Sequence, residues 1–165
     1  MGGWNLQEGK FLEGKVSDEE LWEAITVLFS YSSKNTSYKF VFLKSILDNL
    51  ENADSELVLT FDQLFSTFSQ IYWELVVKYG LNQIVPAQNN RESRIAQIFH
   101  SAMMEYGLNR YISYNMLPPA MASDILQEVK KMCSRYVVGA LYADTNRLFY
   151  GNTAQKNWTV FLFMY

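Results

Sequence analysis

The sequence predicts a mainly α protein, a compact bundle of about five helices with a small β-hairpin near the C-terminal end. Three observations predict it. Apolar residues recur at helical spacing in five separate stretches. Two capping boxes, Ser17-Asp18-Glu19-Glu20 and Thr60-Phe61-Asp62-Gln63, and two glycine stops, Gly80 and Gly107, punctuate those stretches. After Tyr136 the pattern turns to β-branched and aromatic residues around a turn-forming triplet.

Residues 1–16 carry Gly2, Gly3, Gly9 and Gly14 among scattered charges and read as a flexible arm, leaving 17–165 as a single helical domain. The first helix is expected from the Ser17 cap to about Tyr31, with Leu21, Trp22, Ile25, Leu28 and Phe29 at helical spacing. A second helix should begin near Ser37, with Phe40, Leu43, Ile46, Leu47 and Leu50 on one face. The third opens at Thr60 and keeps Leu64, Phe65, Phe68, Ile71, Tyr72, Leu75 and Val76 together until Gly80. The fourth spans Arg91 to Tyr106 and buries Ile95, Ile98, Phe99, Ala102 and Met103. Pro118-Pro119 breaks the chain before a fifth helix from about Ala120 to Cys133, with Met121, Ile125, Leu126, Val129 and Met132 inward. Tyr136–Tyr142 and Leu148–Tyr150 flank Asp144-Thr145-Asn146, which predicts the hairpin at about 136–150.

A chain of 165 residues that is 49% apolar suits one domain with a sizeable core rather than a disordered segment. No apolar run approaches the ~18 residues of a membrane span, and Met1 to Glu8 lacks the basic start and apolar centre of a signal peptide. A cytoplasmic protein without membrane contact is therefore expected. Charge is uneven: residues 1–75 hold five Lys and Arg against twelve Asp and Glu, while 76–165 hold nine against five. The basic half can supply a local patch for DNA or RNA, or both halves can be ordinary solvated faces.

Few residues carry chemistry. His100 is the sole histidine and Cys133 the sole cysteine, too few for a usual zinc set, so His100 reads as structural and Cys133 as a small buried hydrophobe. Asp18, Glu19, Glu20 and Glu23 crowd a first helical turn, where the helix dipole favours them. No Gly-rich phosphate loop is present. No catalytic residue, metal ligand or cofactor is expected. Lys130, Lys131 and Arg135 suit a helix C-terminus, but Arg91 and Arg94 sit at a helix start, against the dipole. Lys34, Asn35 and Lys39 bracket another helix start, where anions are favoured. Lys34, Asn35, Lys39, Arg91 and Arg94 are therefore the candidate nucleic-acid-binding residues.

Several stretches resemble the N-terminal region of a family of bacterial proteins that carry an HNH endonuclease domain further along the chain. They are Tyr31 to Leu50, Ser17 to Ile25, Leu59 to Asp62, Ile71 to Lys78, Arg91 to Ile95 and Val137 to Asn146. The resemblance implies a parent that is a metal-dependent endonuclease acting on phage or foreign DNA, with its metal cassette and Cys-x-x-Cys zinc elements after this region. This chain has no Cys-x-x-Cys, no second histidine and no Asp-His pair, so no catalytic residue carries over. The expectation is a non-catalytic recognition or scaffolding domain. A protein-binding adaptor and a small-molecule enzyme are the alternatives. The apolar run Trp158 to Tyr165 either packs as a final element, forms a partner or homodimer contact, or marks a chain cut within a longer protein.

Overall fold

In the computed structural model the described residues are 17–30, 37–81, 92–145, 147–153 and 159–162, so the expected arm over 1–16 lies outside them. Among these residues six α-helices and three short strands follow one another. The helices are α1 (Asp18–Ser30), α2 (Tyr38–Asp48), α3 (Phe61–Trp73), α4 (Arg94–Glu105), α5 (Pro119–Cys133) and α6 (Gly139–Asp144). The strands are β1 (Val58–Thr60), β2 (Tyr150–Thr153) and β3 (Thr159–Leu162). The architecture is mainly α with a small β element at the C-terminal side, as the sequence predicts.

Helix α3 forms because its start is doubly capped and its apolar residues repeat every three to four positions. The Thr60 hydroxyl accepts the Gln63 amide at 3.2 Å, and Gln63 Oε1 accepts the Thr60 amide at 2.8 Å. Phe61, Leu64, Phe65, Phe68, Ser69, Tyr72 and Trp73 are all buried, between α2 on one side and α5 on the other. Burying each large side chain contributes ~1.5–3 kcal/mol, so this one helix carries much of the hydrophobic stabilisation. A π turn over Glu74–Lys78 follows, and Gly80 at φ +64° closes it, as expected of a left-handed cap. Gly107, at φ +66°, closes α4 in the same way: its amide bonds Met104 O, and that of Leu108 returns to Met103 O at 2.8 Å.

Helix α2 differs from its expected face. Leu47 and Leu50 are 56% and 49% exposed, whereas Val41, Phe42, Leu43, Ser45, Ile46 and Asn49 are buried. Polar residues take part in the buried face. Ser45 Oγ donates to Val41 O within the helix, and Asn49 donates to Ser45 O and to Thr67 Oγ1 of α3, both at 2.8 Å. A small hydroxyl and a bridging amide let α2 approach α3 closely with their polar atoms satisfied.

The hairpin expected at 136–150 is placed differently. Ser134–Val138 is a π turn that carries α5 directly into α6, and the strands lie later, at Tyr150–Thr153 and Thr159–Leu162. β propensity yields here to tertiary burial. Val137, Val138 and Leu141 fall on one helical face, are nearly inaccessible, and belong to segments packed on α2. Asp144-Thr145 is a helix end rather than a hairpin turn, with Thr145 Oγ1 donating to Leu141 O at 2.8 Å. Lys130 and Lys131 stand in the last turn of α5, as expected. Lys130 also pairs with Asp62 at the start of α3.

β3 is the central strand of a three-stranded antiparallel sheet ordered β1-β3-β2, with Leu59 opposite Val160 and Gly151 opposite Phe161. Residues 159–162 of the apolar run therefore pack as an element, bonded to the strand that leads into α3, while 158 and 163–165 lie outside the described residues.

Helix α1 is capped as predicted, with the Ser17 amide on Glu20 Oε2 at 2.8 Å and the Glu20 amide on Ser17 Oγ at 3.2 Å. It buries only Ala24 and Leu28. The two caps should therefore differ in value. Thr60→Ala is expected to lower global stability by about 1 kcal/mol in urea denaturation. Ser17→Ala should change it by no more than a few tenths, because α1 contributes little to the cooperative unit.

Candidate functional site

The α4–α5 pair positions a concave surface that gathers several functional side chains. Ser93 caps α4 by accepting the Ala96 amide, and Pro119 starts α5, where its missing amide costs nothing. Ile95, Ile98, Phe99 and Ala102 of α4 and Met121, Ile125 and Val129 of α5 turn inward. The next positions on each helix border a groove of about 400 Å³. Its floor is Ile98, Ala102 and Ile125. The rim carries the carboxylates of Glu92, Glu105, Asp124 and Glu128 against one guanidinium, Arg94. His100 also borders the groove, and its Nδ1 pairs with Glu92. Tyr106 donates to Asp124 Oδ2 at 2.6 Å, which ties the end of α4 to α5 and holds the phenol up at about 12. Met104, 78% exposed, stands at the open edge.

Of the five residues predicted to bind nucleic acid, Lys34, Asn35 and Arg91 lie outside the described residues. Lys39 is not free for phosphate: its side chain is 10% exposed and pairs with Asp144 at the end of α6. Each charge of that pair opposes its own helix dipole, Lys39 at an N-terminus and Asp144 at a C-terminus, so each offsets the other's unfavourable position. Arg94 is exposed but bonded to Gln97 Oε1 at 3.1 Å, on the groove with the four carboxylates. Lys39 and Arg94 therefore do not share a basic patch.

The starts of α2 and α4 do meet. Tyr38, the first residue of α2, lies edge-on to Tyr72 at 5.5 Å, and its hydroxyl sits beside the Ser93 hydroxyl and the Ile95 amide. Burial pushes this phenol up to about 12. Ser37 shares a 2.7 Å hydrogen bond with the Tyr72 hydroxyl.

Cys133 is buried and burial raises its thiol well above the ordinary value, so it is held as an unreactive hydrophobe. Among the described residues, no group of three or more His, Cys, Asp or Glu side chains stands where it could hold a metal ion, and no helix is long and apolar enough to cross a membrane. Compared with protein-family models, curated proteins and solved structures, the chain matches none of them.

Sequence reasoning missed Glu105, Asp124 and Glu128 as a set. The usable signal was their spacing: Arg94, Gln97, Ile98, Ser101 and Glu105 fall on one stripe of α4, as do Asp124 and Glu128 on α5. Which helix faces which is not local information.

Lys39 is expected to act on stability. Lys39→Ala leaves Asp144 at a dipole-opposed end without its partner. Because Asp144 is 32% exposed, the loss should fall below the 3–5 kcal/mol of a fully buried pair, at about 2 kcal/mol. Lys39→Met with Asp144→Leu should recover most of it, as read by urea denaturation.

Proposed function

We propose that the domain is a non-catalytic recognition and scaffolding module that holds a partner protein on its α4–α5 face. The observation that carries this reading is the groove itself: an apolar floor, a charged rim and an exposed methionine, set on two helices anchored in the core. Concave apolar surfaces with a few placed polar groups are where ligands and partner segments dock. The resemblance to proteins carrying HNH endonuclease domains supports a place beside nuclease chemistry supplied by another segment of a longer protein. In that setting the domain positions the machinery and makes no bond itself.

A second reading, direct nucleic-acid binding, is favoured by the contact of Tyr38 with Ser93 and Ile95, which brings two helix N-termini together. The chain entering those helices carries Lys34, Asn35 and Arg91. A salt series of fluorescence anisotropy with labelled double-stranded DNA separates the two readings. The scaffolding reading expects weak binding whose salt slope is unchanged by Arg91→Glu with Arg94→Glu. A slope that flattens by about 2 in that variant would mean that both arginines neutralise phosphates, and would replace the first reading by the second.

A further inference from the structure

The rim of the α4–α5 groove is not balanced by its own side chains. Glu105 makes no ion pair among the described residues. Glu128 is 3.8 Å from the well-exposed Lys131, a loose surface contact. Asp124 accepts from a neutral phenol, which leaves its charge in place. Among the described residues that line the groove, Arg94 is the one Lys or Arg against four carboxylates, with His100 already held by Glu92. Beneath this rim the barely exposed edges of Ile98 and Ala102 form an aliphatic floor, and the well-exposed Met104 thioether at the edge is a flexible apolar group that adapts to varied partners.

These features together exclude some occupants and favour one. A phosphate backbone would meet like charges along the whole rim, which costs affinity wherever the juxtaposition is close. A small polar cation would leave the aliphatic floor uncovered. A segment with apolar side chains on one stripe and Lys or Arg on its flanks satisfies both. Helix α4 has 12 residues, or about 18 Å at 1.5 Å per residue, so about three turns of a partner helix span the groove.

We propose that the α4–α5 groove receives a cationic amphipathic segment of a partner protein. Its apolar stripe lies on Met104 and the slightly exposed edges of Ile98 and Ala102, and its Lys or Arg side chains meet Glu105, Asp124 and Glu128. This rests on the reading of the domain as a docking module and names the chemistry of what docks.

The test uses the full chain and two labelled helical 14-residue peptides, one of Leu and Lys and one of Leu and Glu in the same pattern. Fluorescence anisotropy at low salt should show the Leu/Lys peptide binding and the Leu/Glu peptide not. Neutralising the rim with Glu105→Gln, Asp124→Asn and Glu128→Gln should weaken the Leu/Lys peptide about tenfold, in line with three partly exposed charge contacts. A matched control, Asp18→Asn, Glu19→Gln and Glu23→Gln on α1, changes net charge equally and should weaken it less than about twofold, an effect left to long-range screening alone. Glu105→Gln by itself disturbs no ion pair among the described residues and should still produce part of the loss, which guards against a rim variant that misfolds. Equal weakening by the rim and α1 variants would overturn the proposal as non-specific charge attraction. Binding of the Leu/Glu peptide that a groove-filling Ser101→Trp removes would overturn the cationic occupant while keeping the docking reading. Failure of both peptides to bind would overturn the two together.

Discussion

Phe61, Phe65, Phe68 and Tyr72 of α3 form a column in which successive ring centroids lie 5.5, 5.6 and 4.7 Å apart. The rest of the structure is arranged around it. Phe42 brings α2 onto the column at 5.3 Å from Phe65, and Tyr150 of β2 packs edge-on against Phe42 while donating to Val138 O. Trp73 extends the buried line, meeting Phe99 of α4 at 5.4 Å and donating its indole N–H to Ile112 O at 2.8 Å. Ring pairs in these tilted and edge-on arrangements add about 0.5–1.5 kcal/mol each beyond their buried area. One helix thus fixes α2, the sheet, α4 and the irregular chain before α5.

Electrostatics then decides what the surface offers. Two basic residues among those described, Lys39 and Arg94, stand at helix starts, where a cation is disfavoured, and such positions invite an anion. For Lys39 the compensating negative charge comes from within the protein, from Asp144, while Arg94 lines a groove that also carries four carboxylates. A dipole-opposed charge is therefore as good a sign of a distant internal partner as of a bound ligand. The distinction is invisible in sequence when the partner is more than a hundred residues away, as Asp144 is from Lys39.

Local chemistry was legible and long-range arrangement was not. Both capping boxes, both left-handed glycine stops, the buried thiol of Cys133 and the core faces of α3 and α4 follow from short-range rules. Those rules work because a cap needs only residues three apart. The face of α2 was misjudged because Ser45 and Asn49 look like solvent residues until Thr67 of α3 supplies a partner. Tyr136 to Tyr142 looked like a strand because propensity favours it, yet Val137, Val138 and Leu141 also satisfy a helical face, and packing on α2 chose the helix. The acidic rim went unread for a related reason: its members lie on two helices whose pairing is a property of the fold.

A docking role depends on a division of labour, with α4 and α5 rigid because they are joined to the α3 column and α1 only lightly attached. Native-state hydrogen exchange tests this most directly. Amides of α4 and α5 facing the core should exchange through the same global opening as those of α3, and those of α1 through a separate opening of much lower free energy. Exchange of α4 at the level of α1, well below α3, would contradict the account, because the groove would then have no fixed floor to present.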